Sequence, residues 1–220
     1  MNNGATTLIQ ARQGTQCMLD ILFNKNGCDK AIKHHYHTVY EPEFDTLRNE
    51  PINILEVGVF RGDSIKAWLE FFPNATIYGI DIFKRVSPND IEVLNNERVH
   101  WLKCDSTNIA VRDQIKKKWP RIRFDIIIDD GLHTPDANAK TLHNLFPLLK
   151  KNGRFYVEDV WPLDVMTTQE MQHWWIQKHP DRYNILEMNK FLKELDGKDT
   201  KRFDLRKQSG EPDSYIIRVR

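Results

Sequence analysis

The chain has 220 residues, enough for one sizeable core and too few for two full domains. Its 32 Lys and Arg against 31 Asp and Glu leave a formal charge of +1, which provides no global field toward nucleic acid or anionic lipid. The first residues carry no basic-then-apolar leader, and no window approaches the ~20 apolar residues of a membrane span, so a soluble, cytoplasmic protein is expected.

Taken in order, residues 1–48 precede any strand signal and read as a helical cap or lid, with one helix over 10–23 and a His/Tyr-rich stretch, KHHYHTVYEPEF. His34, His35 and His37 are read as exposed, and Tyr36 and Tyr40, four apart, as lid residues. The run INILEVGV over 52–59 predicts a strand, broken at Gly58 and Gly62 before the amphipathic SIKAWLEFF. ATIYGIDI predicts a second strand, with a helical pattern near 90–95 after it. RVHWLKCDS predicts a third strand, TNIAVRDQIKKKW a helix, FDIIIDD a fourth strand, and TPDANAKTLHNLFPLLKKNG a helix closed by Gly153. GRFYVEDV is a fifth strand. MTTQEMQHWWIQKH and ILEMNKFLKEL read as helices, and SYIIRVR as a last strand, antiparallel at one edge. Short apolar strands separated by helices imply a parallel sheet covered on both faces, a doubly wound α/β domain over 49–220. Lys116–Lys118 and Lys150–Lys151 are placed at helix C-termini, where they complement the dipole. Cys17, Cys28 and Cys104 are odd in number and outside any CxxC pattern, so they read as reduced thiols.

Ligands of an open parallel sheet sit outside the carboxyl ends of its strands. The first strand ends in Glu56, Gly58, Gly62 and Ser64, spaced ExGxxxGxS; the second ends in Asp81, which could accept from both hydroxyls of a ribose; the third ends in Asp105 and Ser106, placed to meet an adenine. Each signal alone is weak, since glycine turns and helix-capping aspartates are common. In this order, at three successive strand ends, they describe an adenosine site. The fourth strand ends in Asp129, Asp130 and His133, and the fifth in Glu158 and Asp159. Several carboxylates should therefore converge beside the adenosine site, and such a cluster repels itself unless a cation answers it. A hard divalent cation with oxygen ligands does so, and Mg2+ suits the set. The plainer readings are a capping or loop histidine at 133 and a helix cap at 158–159. Trp161 could stack on a sugar ring or fill core, and Trp174–Trp175 reads as core or interface.

The pattern ExGxxxGxS with acidic ends to the next strands resembles the class I S-adenosylmethionine-dependent methyltransferases, and departs from the dinucleotide loop GxGxxG, which has Gly where this chain has Glu56. That resemblance implies a Rossmann-like, mostly parallel seven-stranded sheet. It also implies S-adenosylmethionine as cofactor, with Glu56, Gly58, Gly62, Ser64, Asp81, Asp105, Ser106 and Asp129 on the donor side. DDGLH followed by the Glu-Asp pair resembles the metal-dependent sugar O-methyltransferases of macrolide biosynthesis, and NGCDKAIKHHYHTVYEPEF is similar to that family's N-terminal motif. This second resemblance implies Asp130, Glu158 and Asp159 as ligands of Mg2+ or Mn2+ and His133 as base. A small-molecule hydroxyl of sugar type would be the acceptor, and a homo-oligomer is compatible with it. A catechol-like acceptor and a non-catalytic adenosine-binding module stay open. A nucleic-acid methyltransferase is disfavoured, because the fourth strand lacks an Asn/Asp-Pro-Pro-aromatic motif and the chain has no basic excess.

Overall fold

The structure, a computed structural model, describes residues 17–220. The part of the 10–23 helix expected before Cys17 lies outside the described residues. The remainder forms α1 (Met18–Lys25), whose Leu19, Leu22 and Phe23 recur at helical spacing and are buried. Then follow α2 (Asp29–Ile32), α3 (His37–Phe44), β1 (Asn53–Val57), α4 (Asp63–Phe71), β2 (Thr76–Asp81), β3 (Val99–Lys103), α5 (Val111–Lys118), β4 (Phe124–Asp129), α6 (Pro135–Leu145) and β5 (Leu149–Val157). The chain ends with α7 (Trp174–Lys178), α8 (Ile185–Glu194), β6 (Thr200–Asp204), α9 (Arg206–Ser209) and β7 (Tyr215–Val219).

Seven strands form one sheet in the order β3-β2-β1-β4-β5-β7-β6, parallel from β3 to β5. This is the Rossmann-like methyltransferase fold. The apolar runs of β1 and β4 are explained by cover on both faces. Ile54, Ile126 and Ile128 pack into a layer with α1, α3 and α4, while Leu55, Val57 and Ile127 pack into the opposite layer with α5, α6 and α8. The chain runs outward from β1 to β3 and then returns to place β4 on the other side of β1. The carboxyl ends of β1 and β4 are therefore the topological switch point, where ligands bind in this architecture.

Three expectations need correction. The helix expected over 134–153 is capped by Thr134 Oγ1, which accepts from Ala137 N at 3.3 Å, but it ends at Leu145. Pro147 lacks a donor and crowds the preceding turn, so residues 146–148 tighten into a 3-10 turn and β5 begins at Leu149. Lys150 consequently lies in a strand, 2.8 Å from Asp125, and not at a helix terminus. The last strand, β7, is antiparallel as expected, yet it is interior; the edge is β6, whose TKRFD is mostly exposed. The helix expected over 166–179 is reduced to a 3-10 turn at Glu170–Gln172 and the short α7. Among the described residues, no helix is long and apolar enough to cross a membrane.

Candidate active site

Register brings the strand ends together. Val57 pairs with Asp129 and Asp129 with Val157, so the residues that follow, Gly58, Asp130 and Glu158, leave three adjacent strands side by side. Gly58 has φ +90°, and a Cβ there would lie 2.0 Å from the Asp130 carbonyl oxygen, so only glycine lets the β4 end cross this close to the β1 loop. Asp159 has φ +51°, an uncommon conformation for a non-glycine residue, and its Oδ2 lies 3.7 Å from His133 Nε2.

Lys30, from α2, stands at the centre of the carboxylates. Its ammonium is 2.6 Å from Asp130 Oδ2, in still closer contact with Glu158 Oε2, and 3.6 Å from Glu56 Oε1. Burial disfavours a charged lysine, but Asp130, Glu158 and Glu56 outweigh it and hold Lys30 protonated well above its ordinary range. Burial pushes the Glu56 and Asp129 carboxyls up to about 7, and it raises Asp130 and Glu158 against the pull of Lys30. The second Glu158 oxygen accepts from Tyr40 Oη, and Asp159 Oδ1 accepts from Tyr36 Oη at 2.5 Å. Asp159 is held below the usual carboxylate range because, despite burial, His133, His34 and the Tyr36 hydroxyl favour its charged form.

His133 has a side chain 32% exposed, with Nε2 3.7 Å from both Asp130 Oδ1 and Asp159 Oδ2. Burial would lower its pKa, but the carboxylates of Asp159, Asp130 and Asp129 outweigh it and raise it. Asp130, His133 and Asp159 each offer a ligand atom, all within 4.8 Å of one another. The carboxylate oxygens fit a divalent cation that completes its shell with water, and the imidazole stands beside them. The two oxygens of the neighbouring Glu158 are engaged by Lys30 and Tyr40.

On the donor side, Asp81 organises the loop after β1. Its Oδ2 accepts from Val59 N at 2.8 Å and Phe60 N at 3.1 Å, and its Oδ1 from Phe83 N at 2.6 Å. Gly62, φ +75°, caps α4, and Ser64 is buried in its first turn. Phe60, Ile82 and Leu132, which follow the carboxyl ends of β1, β2 and β4, expose their apolar side chains. Asp105 folds back onto Thr107, while Ser106 is buried, with its Oγ 2.8 Å from Thr141 Oγ1. Ser106 here ties the loop to α6.

The sequence reading missed Lys30, whose only signal was its place in the Cys-Asp-Lys run before the His/Tyr stretch. His34, read as exposed, is 2% exposed, and its Nδ1 lies 2.8 Å from Ser214 Oγ of the loop before β7. Tyr36 and Tyr40, read as lid residues, are buried with their hydroxyls on the acidic pair. Trp161 is buried against His173 and Tyr183, and Trp174 is largely exposed.

A family model described as a methyltransferase domain matches residues 50–206. Among curated proteins, the chain is 28% identical over 162 residues to 8-demethyl-8-(2-methoxy-alpha-L-rhamnosyl)-tetracenomycin-C 3'-O-methyltransferase of Streptomyces olivaceus, covering 70% of this chain and 40% of that protein. It is 27% identical over 174 residues to mycinamicin VI 2''-O-methyltransferase of Micromonospora griseorubida, covering 71% of this chain and 42% of that protein. The chain thus matches less than half the length of these relatives. Among solved structures, the MycE methyltransferase in complex with Mg, SAH and mycinamycin VI superposes with a TM-score of 0.65 at 23% identity, covering 91% of this chain and 53% of that one. An SAH-bound methyltransferase of Podospora anserina superposes with a TM-score of 0.60 at 17% identity, covering 94% of this chain and 89% of that one.

Proposed function

We propose that this chain, which belongs to the methyltransferase domain family, is a cytoplasmic enzyme that transfers a methyl group from S-adenosylmethionine to a hydroxyl of a sugar or glycosylated small molecule, using Mg2+ or Mn2+ and His133 as base. The observation that carries this reading is the meeting of Asp130, His133 and Asp159 within 4.8 Å at the switch point of the sheet. The rhamnosyl group in the name of one relative supports a sugar acceptor.

When bound, the donor supplies the electrophilic methyl and the cation offsets charge developing on the acceptor oxygen. The residues of the chain do the rest. Asp130 and Asp159, through the oxygens that Lys30 and Tyr36 leave free, would hold the cation together with Glu158. His133 Nε2, partly open to solvent and flanked by those carboxylates, takes the hydroxyl proton as the methyl transfers. Asp81 keeps the β1 loop in place for the ribose, with Glu56, Gly58, Gly62 and Ser64 beneath the methionine end and Asp105, Ser106 and Asp129 around the rest of the donor. Residues 1–48 act as a cap that completes the site of the 49–220 domain.

Titration with S-adenosylhomocysteine by calorimetry tests the donor. Labelled methyl transfer to glycosylated acceptors, with and without chelator, tests the chemistry. Binding of the nucleoside and chelator-sensitive transfer are expected. Preference for NAD would refute the donor, and full turnover after rigorous chelation would refute the cation.

A further inference from the structure

Beyond the strand-end cluster, a cavity of about 340 Å³ opens between the segment that leaves β5 and the segment that joins β6 to β7. Met166, Glu170 and His173 line it from the first segment, and Arg206, Lys207 and Pro212 from the second. Its size is at the lower end of small-molecule sites, about 300–1,000 Å³. Both segments reach the proposed reaction centre. The first starts at Glu158 and Asp159, directly after β5. In the second, the Asp213 carbonyl next to Pro212 accepts from Tyr36 Oη at 3.3 Å, and the same hydroxyl donates to Asp159 Oδ1 at 2.5 Å.

The polar groups of the lining select the class of ligand. Arg206 joins the two segments, with Nη1 2.8 Å from Glu170 Oε1 and Nη2 2.7 Å from Asp204 Oδ2, so its charge is answered within the protein. Glu170, Asp204 and Glu211 give the lining three carboxylates against the two basic side chains, a balance that disfavours phosphate and other anions. Donors and acceptors side by side suit a neutral polyol, whose hydroxyls both give and take hydrogen bonds. His173 adds a donor of fixed tautomer: its Nδ1 accepts from Trp175 N at 3.3 Å as the cap of α7, so the ring proton is on Nε2. Its ring lies 5.8 Å from that of Trp174, which is 63% exposed and offers a large apolar face beside these polar groups.

We infer that this cavity is a subsite for a second glycosyl unit of the acceptor, the neighbour of the sugar whose hydroxyl is methylated. The inference rests on the function proposed above and adds the size of its substrate, a glycoside of at least two sugar units. His173 donates Nε2–H to a hydroxyl of the second unit, and Met166 packs against its carbons. Both residues bear on which acceptor is chosen and take no part in the transfer itself.

The probes are methyl α-L-rhamnopyranoside and an α-L-rhamnosyl disaccharide, added to protein whose methionine methyl groups are labelled for NMR. In the wild type the disaccharide should shift the Met166 methyl signal and leave that of Met188, which is fully buried, in place. Labelled methyl transfer should favour the disaccharide over the monosaccharide in kcat/KM by about tenfold or more, mainly through KM. Met166→Trp fills the cavity, and His173→Asn removes the ring while keeping a capping oxygen for α7. Each should weaken disaccharide binding by about tenfold, the effect of losing one good polar contact, and should narrow the preference in kcat/KM. A Met166 signal unmoved by millimolar disaccharide overturns the inference, and so do variants that melt like the wild type and keep both the affinity and the preference. Should the variants fail to fold, the wild-type Met166 signal decides alone. The two readings fail separately. Transfer to the monosaccharide with an unmoved Met166 signal upholds the reaction and removes the subsite, whereas a shifted signal without transfer to either probe refutes the reaction and leaves a glycoside-binding cavity.

Discussion

A methyl group added at position 58 has nowhere to go. It would sit 2.0 Å from a backbone oxygen of Asp130, on a residue whose φ of +90° already disfavours a side chain. Gly58→Ala should cost more than about 3 kcal/mol in urea unfolding, because backbone must move at the strand ends that carry the site; a loss under about 1 kcal/mol would show that the crossing is adjustable. His133→Ala tests a different link. If the imidazole is the base, turnover should fall by ~10² to 10⁴ while S-adenosylhomocysteine affinity stays level, and a variant with normal turnover would return His133 to a loop role. The strand-end residues are legible in the sequence because each follows an apolar run, and a doubly wound sheet gathers whatever follows those runs at its switch point. Lys30 and His34 are not. Their partners, Asp130 and Ser214, lie about 100 and 180 residues away, and local polarity gives no sign that a charged or histidine side chain turns inward.

At the scale of elements, α1 shows how a helix can borrow its cap. Cys17 precedes it without a capping side-chain bond, and the Glu41 carboxylate from α3 accepts instead from Met18 N at 3.0 Å and Leu19 N at 2.7 Å, with the Cys17 thiol at 2.5 Å. Burial would raise the Glu41 pKa, but these donors outweigh it and lower it. A lowered carboxyl stabilises fully above its unfolded value, about 4.3, and loses that contribution as pH falls through the folded one. Glu41→Ala should therefore cost about 1 kcal/mol at neutral pH, and its gap from wild type should narrow toward pH 3. A gap constant from pH 7 to pH 3 would remove the charge from the explanation. The cap is not legible in the sequence because it joins two helices, and the capping rules look only to neighbours along the chain. β6 escapes for a related reason: an edge strand protects itself with charged, exposed residues, as Lys201 and Arg202 do, and so loses the apolar alternation by which strands are recognised. The stop of α6 is legible, since Pro147 stands where the helix ends.

At the scale of the molecule, the segment before β1 shares its core with the sheet. The Tyr40 ring lies 5.0 Å from Phe44, 5.6 Å from Trp68 and 5.2 Å from Tyr156, and Phe23 meets Trp68 at 5.0 Å. Leu19, Phe23, Tyr40 and Phe44 are fully buried, and Glu43 joins Tyr156 of β5 to Arg218 of β7 at 3.1 Å each. The five parallel strands could be read from their apolar runs, but this docking could not, because the segment's hydrophobic residues are interleaved with the polar groups that close the site. Each of these four buried side chains contributes about 1.5–3 kcal/mol, so together they rival the whole 5–15 kcal/mol stability of an ordinary domain. A fragment of residues 49–220 would also leave Glu56, Asp130 and Glu158 buried together without Lys30. That fragment should lack a cooperative melt and the sharp near-ultraviolet circular dichroism of packed aromatics, while secondary structure partly persists. Adding the missing segment as a separate peptide should restore some of both. A fragment that unfolds in one sharp transition close to that of the full chain would show that the sheet and its two layers stand alone and that residues 1–48 only cover the site.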